Sequence, residues 1–242
     1  MNTLEDIRTR SGLADLFEGQ LQHIGIAILM TLGAVSLLEP TEGASLLGVS
    51  SVAWAKLSIS LAILHQVIVA LGFRTQLHLN WLTKRFGDND MKVWALVFIP
   101  LLIARPISLI MVGWADATPI TQFATLQMLL GLALLAPALW ALHSTFKHFT
   151  IPRALGGDHF RDAYAQMPLV SKGIFAYTSN GMYGVAFLGL WAIALLFGSW
   201  NALVVALFQH AYIWVHMYCT ERPDMDWIYG NRAALAPTDD HA

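Results

Sequence analysis

Apolar residues run almost without interruption through six segments of the chain: Leu21–Leu38, Val49–Phe73, Val93–Trp114, Ile120–Leu142, Met182–Phe197 and Trp200–Cys219. A helix needs about 20 apolar residues to cross the hydrocarbon of a bilayer. Four of the six segments reach that length. Leu21–Leu38 and Met182–Phe197 fall short, so their helices should extend into the flanking polar residues. The pattern predicts an all-α polytopic membrane protein with about six transmembrane helices. The first twenty residues alternate charge with Leu4, Ile7, Leu13, Leu16 and Phe17, which predicts an interfacial helix on the membrane surface.

The polar connections divide into two kinds. Of the fourteen Lys and Arg residues, only Lys56 and Arg105 fall inside an apolar segment. The rest lie on alternate connections: Arg8 and Arg10, then Arg74, Lys84, Arg85 and Lys92, then Lys147, Arg153, Arg161 and Lys172, and finally Arg222 and Arg232. The intervening connections, Glu39–Gly48, Ala115–Pro119 and Gly198–Ser199, carry acids or no charge. Lys and Arg are retained in the cytoplasm, which orients the chain with both termini and the long Thr145–Asn180 segment inside. An integral protein of the inner (cytoplasmic) membrane is the expected setting. Joining the last two segments through Gly198-Ser199 alone forces a tight antiparallel helical pair.

Composition narrows the function classes. Hydrophobic residues make up 56% and charged residues 12%, roughly half the charged share of a soluble domain. No basic stretch is dense enough for nucleic acid. The single cysteine, Cys219, excludes an internal disulfide and reads as a packed residue at the end of the last segment. No signal peptide is visible. The length fits one membrane domain over residues 1–242 without a separate soluble catalytic domain, so any chemistry must be built from span ends and loops. HExxH is absent and the histidines and acids do not cluster at ligand spacing, so no metal site is expected.

Ionisable groups at membrane depth are costly and point to function. Lys56 is near enough to a span end to snorkel. Arg105 precedes Pro106, where a kink is expected, and could hold a lipid phosphate or pair with an acid such as Asp116. His65 reads as a neutral, hydrogen-bonded core histidine. The last segment is richer. His210, Trp214, Met217 and Glu221 share one helical face, and Gln209, Ile213, His216 and Thr220 form the adjacent stripe. Helix–helix hydrogen bonding explains such a stripe; so does a polar pocket open to the cytoplasm.

Two motifs flank the final hairpin. Upstream stands Met167–Gly184, MPLVSKGIFAYTSNGMYG; downstream stands Glu221–Gly230, ERPDMDWIYG. The pair resembles the membrane-embedded phospholipid N-methyltransferases, closest in form to the fungal-type phosphatidylethanolamine N-methyltransferases, within the superfamily that includes isoprenylcysteine carboxyl methyltransferase. Those proteins carry GxYxxxRHPxY before a helical hairpin, a histidine in its second helix and an acidic pair near the cytoplasmic end.

The resemblance implies S-adenosyl-L-methionine as cofactor, bound by a half of the domain covering about 145–242. Gly173, Ile174 and Tyr177 would line its adenine and ribose side. Asn180, Gly181, Met182 and Tyr183 would stand in place of the RHPxY residues. His210 and His216 would approach from the last span, and Glu221 would bind the methionine amino group. Arg222 stands where the second acid belongs and could hold the cofactor carboxylate. The implied activity is N-methylation of phosphatidylethanolamine, with onward methylation to phosphatidylcholine, in phospholipid biosynthesis.

Methyl transfer to an amine needs a base for its proton, and His210, His216 and Tyr183 are the candidate catalytic groups, His210 sharing a face with Glu221. A related enzyme with an isoprenylcysteine carboxylate or thiol acceptor would need no strong base. A small transporter using Arg105, His65 and His210 as a polar path would be expected to show an inverted repeat, and none is evident.

Overall fold

A computed structural model gives the architecture and describes residues 3–41, 45–116 and 118–230. Arg232 of the basic tail and residues 42–44 and 117 of two acidic connections lie outside the described residues. Among the described residues eleven α-helices follow in chain order. They are α1 (Leu4–Arg10), α2 (Gln20–Ser36), α3 (Ser51–Leu79), α4 (Trp81–Phe86), α5 (Asp90–Ala115), α6 (Ala124–Ser144), α7 (Ile151–Ala154), α8 (Asp162–Ala165), α9 (Leu188–Phe197), α10 (Trp200–His216) and α11 (Arg222–Tyr229). The only paired strands among the described residues are Ser45–Leu46 and Val49–Ser50, closed by Leu47 and Gly48 at positive φ, the geometry of a tight hairpin turn.

Among the described residues five helical stretches are long and apolar enough to cross a membrane, and a sixth, Gly181–Phe197, is shorter. The chain is an all-α polytopic membrane protein, as its hydropathy predicts. Two of the long helices begin where a serine side chain satisfies a free backbone donor. Ser50 accepts from Ala53 N–H at the start of α3, and Ser199 accepts from Ala202 N–H at the start of α10. Proline does not end α5, which continues through both Pro100 and Pro106.

α3 packs along α5, α6 along α9, and α10 sits between α2, α3, α5 and α9. Small residues let these helices approach: Ala55, Ala62, Ala194, Ala202 and Ala206 are all buried in the central cluster. At one end the acidic connections meet around Asp116. At the other end the Lys- and Arg-bearing segments gather; this is the basic end.

Three expectations are corrected. The N-terminal segment forms an α-helix over Leu4–Arg10 and a single 3-10 turn over Asp15–Phe17; the α-helix turns Leu4 and Ile7 into a cluster with Leu77, Ala165 and Ile228, leaving Leu13 and Phe17 exposed. Its apolar side is thus taken up by protein. Arg105 does not pair with Asp116; its Nε donates to Gln209 Oε1 at 3.0 Å, because the two residues face each other across α5 and α10. His65 is buried, but neither ring nitrogen has a hydrogen-bond partner among the described groups, and its ring packs edge-on against Phe98. Lys56 is exposed, as snorkelling requires.

Candidate active site

The site forms where α10 stops being an α-helix. After His216 the chain makes a π-helical turn over Met217–Glu221 before α11 begins. A π-turn closes on the fifth residue, not the fourth, so it returns Glu221 to the side of His216. Glu221 Oε1 lies 3.5 Å from His216 Nε2. The regular α-helical spacing of the sequence would align Glu221 with His210; the extra residue per turn replaces that neighbour.

A second π-turn, Gly181–Ala186, leads into α9. It begins at Asn180, whose carbonyl accepts from the N–H groups of Tyr183 and Gly184. The turn points Tyr183 at the first one: its hydroxyl donates to the Glu221 carboxylate, 2.6 Å from each oxygen. A carboxylate has about four acceptor positions, so Glu221 keeps capacity for another donor beside Tyr183. His216 has no solvent exposure, and neither ring nitrogen makes a hydrogen bond with a described group. Such groups are rare in folded interiors and call for a reason.

His210 stands one level deeper. Its Nδ1 accepts from Trp191 Nε1 at 2.8 Å, its ring lies against Phe187, and it approaches the backbone of Tyr183. Arg105 reaches the same Phe187, 5.2 Å from the ring centroid. Gln209 links Arg105 to Ser58, so the stripe read from the sequence is divided: Gln209 serves helix packing and His216 serves the site.

On the other flank of Tyr183 the chain folds back on α6. Gly173 adopts φ +64°, and a Cβ there would fall 2.6 Å from Ser144 Oγ. That close approach lets Ser144 accept from Ile174 N–H. Gly181 presses on Ile174, and Met182 packs on the cluster of Ala141, Ile174 and Phe175. Gly173, Ile174, Asn180, Gly181, Met182 and Tyr183 thus form one continuous wall. Tyr177 stands apart, 80% exposed with its ring against Trp140. Arg222 is exposed at the start of α11, and no described contact joins it to Glu221.

The second acid of this helix end is Asp224, to which the sequence reading gave no role. Asp224 has no solvent exposure, and it ion-pairs with Arg74 Nε at 2.9 Å and His159 Nε2 at 3.3 Å. Asp158 adds a 2.9 Å contact to His159 Nδ1 and accepts from the Tyr229 hydroxyl. Arg74 also donates to the carbonyls of Asp15, Glu18 and Thr220, so it grips the residue before Glu221. Burial alone would lower the pKa of His159, but Asp158 and Asp224 outweigh it and raise the imidazole to about 10. Asp158 titrates below its ordinary value: burial opposes this, and His159 and the Tyr229 hydroxyl prevail. The available signal was spacing: Asp224 follows Glu221 by three residues, hence on a neighbouring face. His159 carried no local signal.

The chain is similar to known proteins over this region. A model of the phospholipid methyltransferase family matches residues 126–232. A phosphatidylethanolamine N-methyltransferase of Malassezia globosa is 25% identical over 231 residues, covering 89% of this chain and 23% of that protein. Those of Scheffersomyces stipitis and Meyerozyma guilliermondii are 28% identical over 107 residues and 32% over 74, covering 43% and 31% of this chain but 12% and 8% of theirs. The chain therefore spans less than a quarter of the length of these relatives. No solved structure matches it. Residues 126–232 hold Tyr183, His216, Glu221 and both π-turns that join them, and it is over this stretch that the chain matches the phospholipid methyltransferase family, as its two flanking motifs suggest.

Proposed function

We propose that the protein is an S-adenosyl-L-methionine-dependent phosphatidylethanolamine N-methyltransferase, able to carry its product onward to phosphatidylcholine, with the basic end and both termini on the cytoplasmic face. The observation that carries this reading is the contact of Tyr183 and His216 with one carboxylate, Glu221, at the end of a membrane span. Names of the similar fungal proteins supply the acceptor lipid, and the distribution of Lys and Arg supplies the orientation.

The residues present fit the cofactor. Glu221 retains acceptor capacity for an ammonium group. When bound, S-adenosyl-L-methionine supplies an electrophilic methyl group on a sulfonium. Tyr183 orients Glu221 through its hydroxyl. His216 Nε2 is placed to accept the ammonium proton of the headgroup, leaving a lone pair on nitrogen. The apolar surroundings of α9 and α10 keep water away from that proton. Positioning is most of what such a displacement asks of a protein.

Glu221→Gln tests the reading. One charged contact to the cofactor is lost, so affinity for S-adenosylhomocysteine should fall by about 1.5–3 kcal/mol in titration calorimetry. Unchanged affinity in a folded variant would remove Glu221 from the cofactor site.

A further inference from the structure

α2 packs chiefly on α10 and hardly at all on α3. Between α2 and α3 this leaves a cleft of about 500 Å³, within the ~300–1,000 Å³ range of ligand pockets. Ile24, Ile28, Leu32, Val67 and Leu71 make its sides apolar, and none of its lining residues is Lys or Arg. It runs from Gln20, at the basic end of α2, to Thr31 and Ile63 about halfway along the helices.

Its floor differs from its sides. Tyr212 and His23 close it, and His23 is only 3% exposed. His23 Nε2 has no hydrogen-bond partner among the described groups. Its ring centroid lies 5.4 Å from that of Tyr212 and 5.7 Å from that of His216. His216 in turn touches Glu221. One imidazole therefore separates the cleft from the candidate catalytic groups. The wall built by Gly173, Ile174 and Gly181 lies on the other flank, beyond Tyr183. A second cleft of about 470 Å³, between α3 and α5, offers a contrast: its lining residues are apolar apart from Ser108, whose hydroxyl already donates to the Arg105 carbonyl.

We infer that the cleft between α2 and α3 seats an acyl chain of the acceptor lipid, and that His23 receives the amine-bearing headgroup at its polar end. This rests on the methyltransferase reading and adds the acceptor's route: laterally from the leaflet at the basic end, opposite the cofactor wall. An apolar groove opening toward lipid suits a hydrocarbon tail. His23 Nε2, unpartnered and one imidazole away from the Glu221 carboxylate, in a cleft lined by no Lys or Arg, suits the ammonium end of a headgroup.

The test uses the full chain in phosphatidylcholine vesicles containing phosphatidylethanolamine with a photoreactive acyl chain. After irradiation, adducts are mapped by mass spectrometry. Adducts should concentrate on α2 and α3 around Ile28 and Val67, and be displaced by unlabelled phosphatidylethanolamine but not by phosphatidylglycerol. Val67→Trp fills the cleft from a position that is 41% exposed and should lower labelling several-fold. His23→Leu should raise KM for the lipid about tenfold, the effect of one lost buried hydrogen bond, and abolish the headgroup preference, while His23→Gln restores much of it. Adducts spread evenly over the exposed faces of α2, α5 and α6 would overturn the inference. Labelled S-adenosyl-L-methionine in the same vesicles separates the two ideas. Cleft adducts without methylated lipid support the lipid site and remove the activity; methylated lipid with even labelling does the reverse.

Discussion

The two ends of the helical bundle are both polar, yet they are built on opposite principles. At the end away from the basic segments, Asp116 accepts from Ser199, Thr41 and the N–H groups of Thr118 and Asn201. Asn201 completes the set, exchanging hydrogen bonds with both backbone groups of Glu39 and donating to Ser51. No buried side-chain atom of this network lacks a partner. At the basic end, His23 Nε2, His78 Nε2 and both nitrogens of His216 lack one. A satisfied network fixes geometry and has nothing left to bind. An unsatisfied one holds groups ready at a cost in stability. On the proposed function, packing belongs to the Asp116 end and chemistry to the basic end.

The sharpest way to break this contrast is to remove His216. His216→Ala should lower turnover by about 10²–10⁴-fold and change cofactor affinity much less, measured as initial rate against pH at saturating cofactor. His210→Ala should cost less, since His210 is already engaged by Trp191. A normal rate and pH profile in both variants would move the base elsewhere. Next in size is Asp224→Asn, which leaves Arg74 and His159 without their shared partner. Breaking a buried pair costs about 3–5 kcal/mol, and thermal unfolding in detergent should show it.

Asp116→Ala strips the satisfied end of its acceptor and should destabilise by about 1–3 kcal/mol, while turnover per folded molecule stays unchanged. A fall in turnover there would dissolve the distinction between the two ends. The smallest effect is that of pH on His159. Its pKa is raised in the folded protein from the ordinary 6.5 to about 10. Its stabilising share is therefore fully present below about pH 6.5 and is lost as pH rises through about 10. Melting temperature should decline over that window, and His159→Gln should flatten the decline.

Hydropathy placed some spans to within a few residues: Val93–Trp114 is found inside Asp90–Ala115, and Trp200–Cys219 as α10 with its π-turn, whereas α3 runs on to Leu79, six residues past Phe73. Span length depends on the membrane and is written locally in the chain. Tyr183, His216 and Glu221 were legible as a motif, and the structure brings them into contact. Their register was not legible, because a π-turn is chosen by what the helix packs against, and α-helical spacing misassigned the partner of Glu221 to His210. Arg74 read only as one more basic residue, because its partners Asp224 and Thr220 are distant in sequence and meet it only through the fold. His23, two residues into the first apolar segment, carries no local signal, because its neighbours Tyr212 and His216 come from the last span.

Arg74 also has a history during synthesis. It enters the membrane at the end of α3, yet its acidic partner lies in the last helix, and 146 residues separate it from the Thr220 carbonyl it grips. Until α10 and α11 arrive, a guanidinium that is buried in the finished protein has only Glu18 and the Asp15–Glu18 backbone for company. A chain that ends before Thr220 thus leaves that guanidinium without its buried partner Asp224, with Glu18 as its remaining acid. Completion of the site and neutralisation of Arg74 then become one event: the π-turn that delivers Glu221 leads directly into the helix that carries Asp224.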